Sequence, residues 1–158
     1  MQLSSRFPIA IQILILIAWT ADEYKITSDI IAKSVNTNPV MIRRIVSSLK
    51  KNGLVLVSPG KRGIKLTRKP DEITLFDVYQ AMELTGNESL FGMHPDPNLN
   101  CPIGSRINQV ITSHFEQARM AMEDSLSSVT IGKLMDEFPP FYIPKGFDVK
   151  NNLKDISK

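Results

Sequence analysis

The stretch Asn38–Gly53, NPVMIRRIVSSLKKNG, has the features of a complete amphipathic helix. Asn38 is a good N-cap because its side-chain oxygen can accept a hydrogen bond from a free backbone N–H, and a proline at the first helical position has no N–H to leave unpaired. Gly53 can adopt the left-handed backbone conformation that ends a helix. Ile42, Ile45 and Leu49 recur at helical spacing, so they predict one buried stripe and leave the arginines, serines and lysines on the other faces.

The segments on either side predict a winged helix-turn-helix. Upstream, Thr27 or Ser28 can cap a short helix that only Asn36 and Thr37 separate from Asn38, which is the layout of a helix-turn-helix. Downstream, residues 54–57 and 64–66 are predicted strands joined by the turn SPGKRG. The predicted fold is therefore mainly α with a small β wing, followed by a long dimerisation helix. The second helix of such a motif enters the DNA major groove, and the wing contacts phosphates or the minor groove.

The charge of the chain is unevenly distributed. Residues 28–70 contain ten Lys or Arg and one acid, Asp29, which gives +9, although the whole chain carries only +3. Residues 1–27 are neutral, and residues 71–158 have seven bases and thirteen acids, or −6. A solvated basic helix face is one explanation of such a run. Because the bases coincide with both the second helix and the wing tip, we favour a double-stranded DNA surface.

Two groups of residues are predicted to contact DNA. One would contact base edges from the start of the second helix, and the other would contact phosphates from the helix flanks and the wing. The predicted base contacts are Val40, Arg43, Arg44 and Ser47, and the predicted phosphate contacts are Ser28, Lys50, Lys51, Lys61, Arg62 and Lys65.

The longest periodic stretch, residues 103–129, predicts a helix about 38 Å long, which is more than a small domain needs to cover its own core. We predict that it pairs with the same helix of a second chain, because dimeric heads one DNA turn apart are usual for this motif; an ordinary core helix is the alternative. The predicted dimer contacts are Ile107, Ile111, Phe115, Ala118, Met122 and Leu126.

The predicted organisation has four segments. Residues 1–85 form the winged helix-turn-helix domain, and residues 86–104, rich in Pro, Gly and Asn, form a loop of sensor type. Residues 105–138 hold the dimerisation helix and a short helix capped by Thr130. Residues 139–158 are a tail without clear period, which is expected either to dock or to be disordered.

The first residues allow two interpretations. Residues 9–19 are apolar except for Gln12, lie behind Arg6 and resemble a signal peptide, but they are too few to span a bilayer, which takes ~20 residues. We favour a buried first helix that packs under the helix-turn-helix. The single cysteine excludes an internal disulfide, so a cytoplasmic protein is expected. Because the apolar stretch is too short to span a bilayer, no membrane partner is expected.

The order of these parts resembles the IscR/NsrR/CymR-type (Rrf-two) family of bacterial winged-helix transcription regulators. The resemblance covers about residues 1–138 and is carried by the apolar first helix, Ile31-Ala32, Asn38-Pro39, LKKNGLV at 49–55, Gly60 and Gly63, and ITLFDV at 73–78. It implies a homodimer that represses promoters with dyad symmetry. The iron–sulfur members hold their cluster through three cysteines in the loop before the long helix. Here that loop has only Cys101, so the chain resembles the cluster-free, YwnA-like branch and no cofactor is expected.

Cys101 is the one residue with candidate sensor chemistry. If Pro102 begins the long helix, Cys101 is its N-cap, where the helix dipole favours a thiolate and therefore oxidation. A small, half-buried loop residue without chemistry is the alternative, because the chain has no second cysteine. A metal site built from His94, Asp96, Cys101 and His114 matches no standard ligand spacing.

The sequence thus predicts a dimeric, sequence-specific DNA-binding regulator that acts as a repressor. The competing hypothesis is a protein-interaction regulatory module, in which the acidic part after residue 71 binds a partner protein on which DNA binding depends. An enzyme is not expected, because the sequence has no paired-carboxylate, phosphate-loop or nucleophile–base motif.

Overall fold

The computed structural model describes residues 5–20, 26–58, 63–83 and 91–138. Across these ranges the fold is mostly helical with one two-stranded antiparallel sheet, so the predicted winged-helix class is confirmed. The elements, in chain order, are α1 Arg6–Thr20, α2 Ser28–Val35, α3 Pro39–Lys51, β1 Val55–Ser58, β2 Gly63–Leu66, a 3-10 turn Pro70–Glu72, α4 Leu75–Glu83, α5 Ile107–Ser127 and α6 Ile131–Asp136.

The apolar first segment forms a core helix. In α1, Ala10, Ile13, Leu14 and Ile17 are fully buried, and the helix packs against α2, α3, α4 and α6. Each of the buried isoleucine and leucine side chains contributes about 1.5–3 kcal/mol when it leaves water. None of the helices described is long and apolar enough to cross a membrane. The structure therefore has the buried first helix that the sequence favoured.

The helix-turn-helix is fixed by its caps. The Thr27 hydroxyl accepts from Ile30 N at 3.4 Å, and Asn38 Oδ1 accepts from Val40 N at 2.8 Å. Between the helices Asn36 takes a left-handed conformation at φ 54°, which asparagine tolerates better than most residues. Gly53 follows α3 at φ 70°, as the sequence predicted. These caps and the turn at Asn36 define where α2 ends and α3 begins.

The wing is a short hairpin behind α3. Val55 pairs with Leu66 and Ser58 with Gly63, and Ile64 N donates to Ile26 O at 3.0 Å, which attaches β2 to the segment before α2. Val55 and Ile64 face the core. The predicted tip residues Gly60, Lys61 and Arg62 lie outside the described residues.

The start of α4 is capped by a reciprocal pair of hydrogen bonds. Asp77 N donates to the Thr74 hydroxyl at 3.1 Å, and Thr74 N donates to Asp77 Oδ2 at 2.9 Å. The predicted tail 139–158 lies outside the described residues.

A clasp joins the end of α5 to the start of α4. Leu75 N donates to Val129 O at 2.8 Å, and Ile131 N donates to Ile73 O at 2.8 Å. Ile131 and Ile73 are both fully buried in the same core as α1 and α3. The four-segment division stays a prediction, but the core continues from residues 1–85 into residues 105–138.

The long helix is shorter than predicted. It begins at Ile107 instead of residue 103 and has 21 residues, so it is about 32 Å long. Residues 101–106 form turns instead, in which Cys101 N donates to Asn98 O and Ser105 N to Cys101 O. Gly104 lies so close to Asn98 that a Cβ there would be 2.4 Å from Asn98 O. This close approach bends the chain where the spacing of isoleucines alone suggested helix.

Candidate nucleic-acid interface

The predicted base-contacting residues share the uncovered face of α3. Ile42, Ile45, Val46 and Leu49 bury the opposite face. The exposed side chains in the first part of α3 lie at positions i, i+3, i+4 and i+7 of one helix face and are Val40, Arg43, Arg44 and Ser47. Val40 is 51% exposed although it is apolar, and an apolar side chain in this position can contact a thymine methyl group. The face thus combines hydrogen-bond donors with one methyl-bearing side chain.

The predicted phosphate-contacting residues that the structure describes lie on α2, α3 and β2. Lys50 and Lys51 are exposed at the C-terminal end of α3, and Lys65 is exposed on β2. Ser28, at the first position of α2, is half-buried. Lys61 and Arg62 lie outside the described residues, so their contribution stays a prediction.

Sequence reasoning missed an ion pair within this surface. Arg43 Nη2 lies 3.4 Å from Asp29 Oδ1, and both side chains are exposed, at 62% and 68%. Asp29 is the single acid of residues 28–70. The sequence shows that Asp29 is surrounded by basic residues along the chain. Its pairing with Arg43 depends on how α2 packs against α3 and could not be predicted from the sequence.

Ser48 does not belong to the free face on which the sequence placed it. Its hydroxyl donates to Ala81 O at 2.6 Å, so it faces α4. The bond satisfies a carbonyl of α4 across the core boundary. Ser48 therefore joins two helices, while Ser47 remains exposed.

The expectation that Cys101 caps the long helix is wrong. The N-cap of α5 is Arg106, and Cys101 lies five residues earlier, half-buried in the turns. The backbone N–H of Gly104, followed by that of Ile103, hydrogen-bonds the sulfur and lowers the pKa of the Cys101 thiol below its ordinary value, against a smaller effect of burial. The thiolate is thus favoured by turn amides instead of by a helix dipole.

The four side chains considered for a metal are not assembled. His94 Nδ1 accepts from Asp96 N at 3.2 Å, which is a local turn contact. Within the ranges that the structure describes, no three His, Cys, Asp or Glu side chains come together as a metal site.

The predicted dimer residues divide between two states of exposure. Ile107, Ile111, Phe115, Met122 and Leu126 are half-buried, Ala118 is exposed, and the Phe115 ring stacks on Phe91 at 4.8 Å. Another face of α5 is exposed at Val110, His114, Gln117 and Ala121, which follow one another at helical spacing. Across its 21 residues α5 has no buried side chain.

A groove of about 830 Å³ runs between α1 and α6. Ile11, Ile15 and Leu134 line it together with Trp19 and Phe138, whose ring centroids are 6.3 Å apart. Trp19 and Phe138 remain 46% and 48% exposed. An apolar surface of this kind on a monomer is typical of a protein contact.

Comparisons with known proteins found one matching family model and several similar proteins. A family model described as Rrf2, iron-dependent transcriptional regulator, matches residues 3–137. YwnA of Bacillus subtilis (strain 168), a candidate HTH-type transcriptional regulator, is 41% identical over 134 residues, which are 85% of this chain and 97% of YwnA. A solved structure of a candidate DNA-binding protein is 38% identical with a TM-score of 0.67 and covers 83% of this chain and 99% of that chain. CymR (YrzC), the global cysteine regulator of B. subtilis, is 24% identical with a TM-score of 0.64, over 88% of this chain and 99% of CymR.

Proposed function

Since this chain belongs to the Rrf2 (Rrf-two) family of transcriptional regulators, we propose that it acts as a homodimeric, sequence-specific DNA-binding repressor in the cytoplasm. The family membership establishes a regulator and not an enzyme. The proposal adds the dimer, the repressor role and the residues that contact DNA.

One observation carries the proposal: the second helix of the helix-turn-helix buries an aliphatic face and exposes Val40, Arg43, Arg44 and Ser47. This is the geometry with which a recognition helix presents its N-terminal side chains to base edges. The exposed charges of Lys50, Lys51 and Lys65 support phosphate contacts beside the base contacts.

The experiment is a salt series of binding to the intergenic DNA upstream of the coding region, against a scrambled fragment. Arg44→Ala is expected to lower the preference between the fragments, because a bidentate arginine–guanine contact discriminates by about 1–3 kcal/mol. Lys65→Ala is expected to weaken both fragments alike and to reduce the salt slope by about one unit. Equal losses in both variants would contradict the assignment of base and phosphate contacts.

The iron dependence in the family description does not fit the donor set of this chain. A cysteine-ligated cluster requires several thiolates, whereas the 158 residues contain Cys101 alone. We therefore propose regulation without an iron–sulfur cluster. The test is an iron and sulfide assay of protein purified without oxygen, in which stoichiometric iron would contradict the proposal.

The dimer is proposed to form on α5. A helix of 21 residues without one fully buried side chain gains less from its own protomer than a core helix does, and most helices in proteins depend on packing for their stability. The six predicted contact residues and the exposed face at Val110 and Ala121 are the candidate surfaces. Two such helices would hold two recognition helices on one DNA site.

The competing proposal, a regulator whose DNA binding depends on a partner protein, is supported by the groove between α1 and α6. It would be favoured over the first if purified protein bound both DNA fragments equally and gained selectivity only in the presence of cell extract. A groove variant, Trp19→Ser, would then lose that gain.

For Cys101 we propose a redox role: its thiolate would attack a peroxide, form a sulfenic acid and release water or hydroxide. The depressed pKa of the thiol supports this proposal. Operator affinity of the wild type and of Cys101→Ser, with and without peroxide, is the test, and identical responses would end the idea.

A further inference from the structure

Asp29 is an unexpected residue in the proposed DNA surface. It is the single acid among eleven charged residues between positions 28 and 70, and its side chain is 68% exposed. A carboxylate on this surface repels every phosphate that approaches it. Asp29 therefore lowers the affinity for DNA in general. Its ion pair with Arg43 indicates a different role, in positioning that arginine.

The pair joins the first helix of the motif to the recognition helix. Asp29 lies in the first turn of α2, and its Oδ1 contacts Arg43 Nη2 on α3 at 3.4 Å. In the described part of residues 28–70, Arg43 has an ion-pair partner, whereas Arg44, the other arginine among the base-contact candidates, has none.

The chemistry of the guanidinium lets Arg43 keep this partner while it contacts a base. Arginine has five N–H donors in a planar fork, and Asp29 occupies one nitrogen through one contact. A free edge remains for the two acceptors of guanine, O6 and N7. The carboxylate also limits the rotamers of a long side chain, so less conformational entropy is lost when the base contact forms.

We propose that Asp29 is a specificity-determining residue that positions Arg43 for a guanine edge and keeps it from phosphates. This inference rests on the proposed DNA-binding function. It predicts that Asp29 lowers the affinity for random DNA and raises the base preference at the position that Arg43 contacts.

The test selects double-stranded fragments from a random library with the full-length wild type and with single variants. Arg43→Ala is expected to remove the guanine preference at one position of each half-site, and Arg44→Ala to remove it at another. Asp29→Asn should weaken the preference at the Arg43 position alone. It should also lower the ratio of selected to scrambled affinity by up to about fivefold, the upper range for an exposed ion pair.

Matched controls separate this effect from charge and from stability. Asp96→Asn removes one exposed carboxylate from the loop before α5 and should leave the ratio unchanged. Asp29→Glu keeps the charge and should retain part of the preference. A merely structural role for Asp29 would lower the melting temperature and change the affinity for all fragments without affecting one position.

The outcomes distinguish the two proposals. If the wild type selects no motif, the proposed function fails and the inference with it. If the wild type selects a motif but Asp29→Asn preserves both the motif and the affinity ratio, the inference alone is overturned. It is also overturned if Arg43→Ala keeps every base preference.

Discussion

The recognition helix α3 and the long helix α5 differ in how their own chain covers them. α3 has 13 residues, of which four are buried, whereas α5 has 21 residues and none buried. α3 is therefore stabilised by contacts within the protomer, and its exposed face is left for DNA. The larger helix keeps both a half-buried and a fully exposed face, which fits an element completed by a second chain.

The largest effect is expected from a cavity under α3. Leu49 is fully buried, and Leu49→Ala should lower the free energy of unfolding by about 2–5 kcal/mol because surrounding helices fill the space only partly. Met120→Ala on α5, where the side chain is 53% exposed, is the matched control and should change it by under ~0.5 kcal/mol in dilute protein. Denaturant titrations at low concentration measure both, and similar losses would remove the contrast between the helices.

A charge on the exposed face of α5 should act on assembly and not on the fold. Val110 is 59% exposed, and Val110→Asp is expected to raise the dimer dissociation constant at least about tenfold, because an unpaired charge would be desolvated at the interface. Sedimentation across a concentration series measures it, with Arg44→Ala as a variant that should dimerise normally. An unchanged dissociation constant would show that this face lies outside the interface.

A smaller change is expected at the start of α3. Asn38→Ala removes the acceptor for Val40 N and should cost about 1 kcal/mol of unfolding free energy. Ser113→Ala on the exposed surface of α5 serves as the control with a comparable loss of one polar group. If both variants melt at the wild-type temperature, the cap is not what orients the recognition helix.

The smallest effect concerns the turns that lead into α5. The pKa of the Cys101 thiol is lower in the folded state than in the unfolded state. Ionised Cys101 therefore contributes to the stability of the fold at pH values above the unfolded pKa. This contribution to stability is lost as the pH falls through the folded pKa. Alkylation of Cys101 should therefore have its midpoint at a lower pH in native protein than in urea. A native midpoint equal to or above that in urea would contradict the hydrogen bonds from Gly104 and Ile103.

Local signals explain which parts of the fold were predictable. Asn38, Pro39 and Gly53 define α3 through contacts within a few residues, and Thr74 with Asp77 defines the start of α4 in the same way. The continuous apolar run of residues 9–19 was enough to place α1, and the cap at Thr130 was enough to place α6.

Tertiary contacts account for the errors. The start of α5 depends on the approach of Gly104 to Asn98, and the side of α3 that carries Ser48 depends on the position of Ala81. The Asp29–Arg43 pair likewise joins residues 14 positions apart on two helices. Periodicity describes a helix alone and contains no information about its neighbours.

The clasp between residues 73–75 and 129–131 has a consequence for dissecting the protein. Because Ile131 fills the core of the DNA-binding part, deleting everything after α4 would remove a core side chain as well as the proposed dimer helix. Such a truncation would be expected to lose its fold, not to yield a monomeric head. A monomer is better obtained by substitution on α5, which leaves the clasp intact and makes assembly and DNA contact separable in one chain.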